Sequence, residues 1–375
     1  MSAFTKYALI GVAIATVTLT LALRWTTALL DPPKTTLKQL LRSRALPNER
    51  LIRALGMTNT FVSDDLFVHS AFVRAAKMLI ARANPRDRKG WDGWVGEVSK
   101  CIDHYLPLDS IQFATYMQSV TFSIVLTGFL DADLAALDPR DVASVTKAIN
   151  ERWMQAKTSQ QLHPHLLSEI NDHIFRWVPN RDQYPNPLDF IIPAFETMWR
   201  VVAITTVYAY RDESIRHAFL DFGDNSTLPQ FQAFKKAGPS VEAVVLEVLR
   251  LYPPTRRISR VNPSPPSKFP FAASTTESDS IEVAEIETYH KSQEWGENPT
   301  EFDPMRYHPS KGASDLFAFG YGRLKCVASS WAPIAAATIV ARILERVDER
   351  EFEIKEGEAM GRRDGWGGWS IKRKY

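Results

Sequence analysis

The chain has 375 residues, of which 45% are hydrophobic and 23% charged, a composition typical of one large globular domain or two smaller ones. Lys and Arg number 45 and Asp and Glu 43, so the formal net charge of +2 provides no general attraction to nucleic acid, and we expect no nucleic-acid partner. The only cysteines are Cys101 and Cys326, which excludes a disulfide framework and a multi-cysteine zinc site. A lone cysteine is by default a small buried hydrophobe, the role that we expect for Cys101.

Near the N-terminus, residues 7–23 form an uncharged apolar segment between Lys6 and Arg24. It is at the short end of what spans a bilayer, although Trp25 can extend its apolar reach into the interface. A cleaved signal peptide is the alternative interpretation. The sequence has no clear small-x-small cleavage site before Arg24, which favours a single transmembrane helix.

We therefore predict two parts, a membrane anchor at residues 1–30 and one domain at residues 31–375. Basic residues are more frequent after the apolar segment than before it, which places the domain in the cytosol by the positive-inside rule. The sequence thus predicts a single-pass membrane protein of the endoplasmic reticulum. The basic residues that follow the segment are Lys34, Lys38, Arg42 and Arg44.

The remaining chain is predicted to be mainly α-helical with small β-sheets. Apolar residues recur at helical spacing through much of residues 37–216. Residues 261–280 are rich in Pro and Ser and indicate a loop or short strands, and residues 280–290 indicate a brief strand followed by a helix. The last helix is predicted at about residues 326–347, and the tail at 361–375 indicates turns with a terminal strand or hairpin.

A glycine-containing loop, residues 317–328, brings Cys326 to the predicted start of that last helix. Its glycines, Gly320 and Gly322, permit positive φ or a close approach of backbone to a flat ligand. A helix N-terminus and the cations Arg323 and Lys325 would stabilise a thiolate, which is the axial ligand that favours O–O cleavage at haem iron. A buried cysteine in a glycine-rich turn explains this segment equally well.

Other chemistry-bearing residues lie at compatible positions along the chain. Glu247 and Arg250 are three apart on a helix that Pro253-Pro254 ends, where a surface ion pair is the simplest interpretation. Arg306 lies in an aromatic and proline-rich stretch and could complete a buried network with that pair. A long apolar helix contains the adjacent acid and hydroxyl of Glu196-Thr197.

These four motifs, in their order along the chain, resemble the cytochrome P-450 family, and especially its divergent fungal members that build natural products. The resemblance covers about residue 190 to the end of the helix after Cys326. It implies a cytochrome P-450-like fold that binds haem b, iron protoporphyrin IX, with Cys326 as the axial ligand of the iron. Glu247, Arg250 and Arg306 would then lock the core behind the haem.

The resemblance also implies roles for residues of the helix around Glu196. Glu196 and Thr197 would relay protons during oxygen activation, and Phe195 would face the substrate. Pro193 is expected to disrupt the local hydrogen-bond ladder of this helix.

Several positions depart from the family pattern. Leu324 stands where the family usually has an arginine that pairs with a haem propionate, and Ala328 replaces a usual glycine. The N-terminal β region of the family is expected to be abbreviated in this chain. The positive charge that Leu324 lacks would come from elsewhere in the chain. The candidates for the propionate contacts are Arg323 and Lys325 beside the cysteine, Arg256, Arg257 and Arg260 after the Pro-Pro sequence, and His69 and Arg74 in place of an absent Trp-x-x-x-Arg signature.

The predicted function is that of a membrane-anchored haem-thiolate monooxygenase. It would be a monomer that takes electrons from a flavoprotein reductase and oxidises an apolar small molecule in secondary metabolism. A variant would catalyse rearrangement without net oxygen insertion. The alternative is a catalytically impaired P-450-like binding or scaffold protein, which Leu324 and the abbreviated N-terminal half motivate.

Overall fold

Helices dominate the part of the chain that the computed structural model describes. That part comprises residues 35–158, 162–235, 238–262, 280–312, 314–347, 351–361, 363 and 365–375. The predicted anchor segment at residues 7–23 lies outside it, as does most of the Pro/Ser-rich stretch. The helices are α1 (Leu37–Asn48), α2 (Arg50–Leu55), α3 (Leu66–Arg82), α4 (Arg88–Tyr105), α5 (Phe113–Leu130), α6 (Pro139–Thr158), α7 (Pro164–Trp177), α8 (Leu188–Arg211), α9 (Glu213–Asp224), α10 (Leu228–Gln232), α11 (Val241–Leu251), α12 (Ile286–His290) and α13 (Ala332–Arg346).

Two small antiparallel sheets complete the described fold. Strand β2 (Arg257–Asn262) pairs with β3 (Ser280–Glu285) in a two-stranded ribbon. Strands β1 (Ser110–Gln112), β4 (Phe352–Lys355) and β5 (Ser370–Arg373) form the other sheet in the order β1-β5-β4. The mainly helical fold, the strand-then-helix order of β3 and α12, and a terminal strand in the tail at 361–375, which is β5, are confirmed. Among the described residues that precede β1, none belongs to a strand.

The core is built around α5 and α8, which pack against each other. Both helices are long and apolar enough to cross a membrane by length and composition alone. Most of their residues, however, are buried inside the protein. A helix that is apolar on all sides is typical of the centre of a large domain as well as of a bilayer. These two helices are therefore core helices of the described fold and weak indications of membrane insertion.

Helix α8 remains continuous across Pro193 because another side chain replaces the bond that proline removes. Proline has no N–H to donate to the carbonyl four residues earlier, which is that of Asp189. The Nδ2 atom of Asn59 donates to this carbonyl oxygen at 2.8 Å instead. The predicted disruption of the ladder is thus confined to one bond near the start of the helix.

Replacing Asn59 with alanine is expected to destabilise the protein by about 1–3 kcal/mol, because a buried carbonyl would lose its partner. The double variant Asn59→Ala/Pro193→Ala should recover part of that loss, since the N–H of an alanine at position 193 can donate to the Asp189 carbonyl. Urea unfolding of the wild type, both single variants and the double variant measures both values. This account would be contradicted if Asn59→Ala cost the same whether or not Pro193 had been replaced.

Candidate functional site

The loop that carries Cys326 has the left-handed backbone that its glycines predict. Gly320 has φ 71° and Gly322 has φ 67°. A Cβ at Gly320 would have its nearest neighbour at 4.0 Å, and one at Gly322 would have none within 4 Å. These glycines are therefore required by backbone conformation and not by crowding. The amide of Cys326 donates to the carbonyl of Phe319 at 2.9 Å, which closes the loop.

The predicted helix start at Cys326 is wrong. Helix α13 begins at Ala332, six residues later, and the intervening residues form turns. Pro333, in the first turn of α13, fits this start, since proline is favoured at the beginning of a helix and needs no donor there. The thiol of Cys326 therefore does not lie at a helix N-terminus, and the helix dipole does not stabilise its thiolate.

The local electrostatics of Cys326 also differ from the prediction. Arg323 and Lys325 are exposed and do not lower the pKa of the thiol. Desolvation by the surrounding protein raises this pKa, and a hydrogen bond from the backbone N–H of Ala328 to the sulfur opposes the effect. Cys326 itself is nevertheless exposed. Because the side chain is exposed, a ligand can reach the thiol.

Cys101 has the opposite surroundings. It is fully buried in the core, where its sulfur lies 3.5 Å from the hydroxyl oxygen of Thr127. Burial raises the pKa of its thiol to about 12. The prediction that Cys101 is a small buried hydrophobe is confirmed, and Cys326 is the accessible cysteine of the pair.

Glu247, Arg250 and Arg306 meet in one buried network, so the surface ion-pair interpretation is wrong. The two carboxylate oxygens of Glu247 accept bonds from Nε and Nη2 of Arg250, each at 2.7 Å, and both residues are fully buried. The Nε atom of Arg306 lies 3.4 Å from Oε1 of Glu247. A bidentate pair of this kind is geometrically specific and strong.

The two arginines of this network also hold the chain that follows α12. Arg250 donates to the carbonyls of His290, Pro299 and Glu301. Arg306 donates to the carbonyls of Trp295, Glu297 and Asn298. A segment with little regular structure is thereby fixed by side-chain donors, which satisfy carbonyls that no helix or sheet satisfies.

His290 connects this network to the cysteine loop, a link that the sequence did not reveal. Its backbone carbonyl accepts from Arg250 at 2.5 Å, and its Nε2 atom accepts from the backbone N–H of Phe317 at 3.0 Å. The ring is fully buried, and its Nδ1 atom has no partner. Burial lowers the pKa of this imidazole to about 4. The ring is thus neutral at physiological pH and can accept the bond from the loop.

We expect His290 to make stability depend on pH between about 6.5 and 4. Its folded pKa lies below the unfolded value of about 6.5, so the unfolded chain binds more protons in this range, and stability is lost as the pH falls. The loss should be on the order of 2 kcal/mol. Urea unfolding at pH 7 and pH 4 would show a smaller pH effect in His290→Gln, which retains an acceptor but does not titrate. Identical pH effects in both proteins would refute this assignment.

Glu196 and Thr197 lie side by side in the sequence but on different faces of α8. Glu196 is buried, and its Oε2 atom accepts bonds from Nε (2.8 Å) and Nη2 of Arg363. The guanidinium of Arg363 also lies 4.3 Å from the ring centroid of Trp153. Thr197 is half-buried, and its hydroxyl donates to the carbonyl of Pro193 at 3.2 Å. The structure therefore gives the acid a fixed cationic partner, Arg363, which the sequence prediction missed.

The expectation that Phe195 faces the substrate is wrong. Its ring is fully buried and packs edge-on against Phe122 at a centroid distance of 5.1 Å. Partly accessible residues, including Thr197, recur at helical spacing along one side of α8. We call it the open stripe of α8. It consists of Phe190, Pro193, Ala194, Thr197 and Met198, all half-buried.

The structure separates the candidate propionate contacts. His69 is half-buried and Arg74 is exposed, five residues apart on α3, so they do not share a face. Arg256 and Arg257 are exposed and form ion pairs with Glu287 and Glu285. The candidates His69 and the half-buried Arg260 both lie near a residue that the sequence did not single out, Arg44. Arg323 and Lys325 stay predictions. We call Arg44, His69 and Arg260 the basic cluster.

A family model described as cytochrome P450 matches residues 223–365. Cytochrome P450 CYP72A616 of Paris polyphylla and CYP72A219 of Panax ginseng are each 26% identical over 155 residues, covering 40% of this chain and 29% of each relative. Secologanin synthase 2 of Catharanthus roseus is 22% identical over 153 residues, covering 40% of this chain and 28% of that protein. The chain thus matches under a third of the length of these relatives.

Solved structures share the fold over most of the chain. The heme domain of a cytochrome P450DA mutant superposes with a TM-score of 0.59 at 15% identity, covering 90% of this chain and 83% of that one. Cytochrome P450 CYP102L1 superposes with a TM-score of 0.56 at 13% identity, covering 88% and 86%. A helical domain with a cysteine on a glycine loop and a buried Glu-Arg-Arg network thus has the fold of haem-thiolate proteins. Residues 223–365 thus resemble the cytochrome P450 family in sequence, and the described part of the chain has the cytochrome P450 fold.

Members of this family bind haem b, and the residues described here fit that group. The Cys326 thiol is accessible, and the open stripe of α8 provides a mostly apolar surface. The basic cluster contains a buried guanidinium nitrogen without a partner, Nε of Arg44, which suits an anionic group such as a propionate. The sequence comparisons identify relatives in plants, and a particular likeness to fungal members stays a prediction.

Proposed function

We propose that this chain is a membrane-anchored haem-thiolate monooxygenase that oxidises an apolar small molecule in secondary metabolism. The observation that carries the proposal is the accessible Cys326 thiol on a loop that His290 ties to the buried Glu247–Arg250 pair. Haem bound through a cysteine thiolate supplies oxygen activation, because the thiolate donates electron density to the iron. Coordination to a metal cation also deprotonates a thiol outright, which removes the obstacle of its raised pKa.

The chain's own residues would provide the surroundings for this chemistry. Cys326 would hold the cofactor, and the N–H of Ala328 would donate to its sulfur and moderate its charge. The apolar members of the open stripe would orient the substrate and exclude water. Thr197, the polar member of that stripe, would hold a proton or a water molecule there. Glu196 would act from the adjacent face, with its charge balanced by Arg363.

The membrane anchor, the electron donor and the cellular location are part of the same proposal. Residues 7–23 are uncharged and apolar, and basic residues follow them, which favours a single-pass protein of the endoplasmic reticulum with a cytosolic domain. Electrons would come from a flavoprotein reductase to a monomeric protein. The name secologanin synthase for one relative supports a role in secondary metabolism.

The proposal is tested by the absorption spectrum of the purified full chain after reconstitution with haem. The reduced protein with carbon monoxide should show the red-shifted Soret band of thiolate-bound haem. With a reductase and NADPH, apolar candidate substrates should be converted into oxygenated products. A chain that takes up no haem would refute the enzyme and favour the binding or scaffold protein. The half-buried Leu324, in the position where the family usually has an arginine, supports that alternative.

Thr197→Ala is expected to lower the product formed per NADPH consumed by about tenfold, because the hydroxyl on the open stripe would be lost. Haem content should be unchanged. Thr206→Ala is the matched control, because Thr206 is on the same helix and donates to the carbonyl of Val202 at 2.8 Å, but it is fully buried. If both variants couple electrons to product equally well, Thr197 has no role in proton delivery.

A further inference from the structure

Three basic side chains of the basic cluster converge from α1, α3 and β2. Arg44 is only 7% exposed, and its Nη2 atom donates to both the carbonyl and the hydroxyl oxygen of Thr60, at 2.6 and 2.5 Å. The same hydroxyl lies 2.8 Å from Nδ1 of the half-buried His69. Arg260 comes from β2, which packs against α1, and is close enough to lower the pKa of Arg44. Thr60 thus joins two of the three basic groups.

The cluster has neutral partners where a buried cation normally has an acid. Within the described ranges, no ion pair involves Arg44, His69 or Arg260. Burial and the nearby Arg260 lower the pKa of Arg44 to about 10, so the guanidinium remains charged at neutral pH. Its Nε atom is buried and has no hydrogen-bond partner. Desolvated charge of this kind is unfavourable unless an anion completes the site.

A series of aromatic rings leads from the cluster to α8. The guanidinium of Arg44 lies 5.2 Å from the ring centroid of Phe61. Phe61 packs edge-on against Phe72 at 5.9 Å, and Phe72 stacks on Phe190 at 5.5 Å. All three rings are half-buried, and Phe190 belongs to the open stripe. A ligand with an apolar body along these rings can therefore place an acidic group at Arg44.

We propose that Arg44, assisted by His69 and Arg260, binds the carboxylate of an apolar ligand. Arg44 would donate through Nε, and its remaining bonds to Thr60 would fix the guanidinium in place. The carboxylate can belong to a haem propionate, in which case the inference rests on the proposed function and Arg44 supplies the cation that is absent at Leu324. It can also belong to the substrate.

The first arm of the test measures haem loss. Wild type, Arg44→Met and Arg44→Lys are reconstituted with haem and with haem dimethyl ester, and transfer to excess apomyoglobin is timed. For a propionate ligand, Arg44→Met should lose haem about tenfold to a hundredfold faster, Arg44→Lys should be intermediate, and the dimethyl ester should leave at the same rate from all three. Arg42→Met, an exposed arginine on the same helix, is the matched control and should equal the wild type.

The second arm measures binding of dodecanoate and methyl dodecanoate by titration calorimetry, and it also works on haem-free protein. For a substrate carboxylate, the wild type should prefer dodecanoate, and Arg44→Met should lose that preference while haem loss stays unchanged. If Arg44→Met matches Arg42→Met in both arms, the proposal is overturned. A wild type that binds no haem refutes only the proposed function, because the dodecanoate arm still tests whether Arg44 binds a carboxylate. If circular dichroism shows that Arg44→Met does not fold, Arg260→Met replaces it.

Discussion

Cys326→Ala is expected to abolish the red-shifted Soret band of the reduced, carbon monoxide-treated protein. Cys326 is the accessible cysteine of the chain and the thiol that the glycine loop presents, whereas alanine offers no axial ligand. Haem content should fall to a small fraction of the wild-type value, because the bond between sulfur and iron would be lost. The fold should persist, since the side chain of an exposed residue contributes little to the core.

Cys101→Ala is the matched control for this experiment. It removes the other thiol, which is fully buried, and should keep the thiolate spectrum at a modest cost in stability. The haem content per chain and the spectrum are compared for the two variants and the wild type. A red-shifted band that persists in Cys326→Ala would mean that Cys326 is not the iron ligand, and a band lost only in Cys101→Ala would exchange the two assignments.

Arg250→Met is expected to lower the free energy of unfolding by about 3–5 kcal/mol, because it leaves the buried carboxylate of Glu247 without its bidentate partner. It also removes the donor to three backbone carbonyls of residues 290–301. The segment that carries His290 should loosen, and the cysteine loop should loosen with it. Haem uptake should therefore fall as a result of the loosened cysteine loop. Urea unfolding and haem content per chain measure the two effects.

Arg257→Met is the control for the loss of an ion pair as such. Arg257 pairs with Glu285 at 2.9 Å, but both side chains are exposed, so the cost should stay below about 1 kcal/mol. Haem uptake should be unaffected. Equal costs for Arg250→Met and Arg257→Met would show that the buried network does not stabilise the fold.

Local patterns in the sequence predict much of this fold for a physical reason. Helical spacing of apolar residues and the end of α11 before Pro253-Pro254 depend on neighbours within one or two turns, and these elements are found as expected. The start of α13 was predicted too early because Cys326 was assumed to begin the helix. Pro333 carried the opposite signal, since proline favours the first turn. The side chain of Phe195 was placed on the wrong face of α8 because a helix that is apolar on several sides does not show which one is open.

The residues that complete the candidate site were harder to predict. The pair of Glu247 and Arg250 is local, so its spacing identified it, and Arg306 followed from the resemblance to a known family. Arg363, by contrast, reaches Glu196 from 167 positions away, and His290 contacts Phe317 across 27 positions. No periodicity encodes such contacts. Arg44 was counted only as one of several basic residues after the apolar segment, because its burial depends on the packing of α1 against β2.

Residues 58–60 have a consequence for how this protein can change over evolution. Thr58 and Asn59 hold Asp189 at the start of α8, and Thr60 holds Arg44 and His69. These three consecutive residues thus form hydrogen bonds with two separate parts of the fold, so their spacing along the chain is fixed. An insertion or deletion here would shift one set of bonds relative to the other. The spacing within this segment is therefore constrained by both sets of bonds.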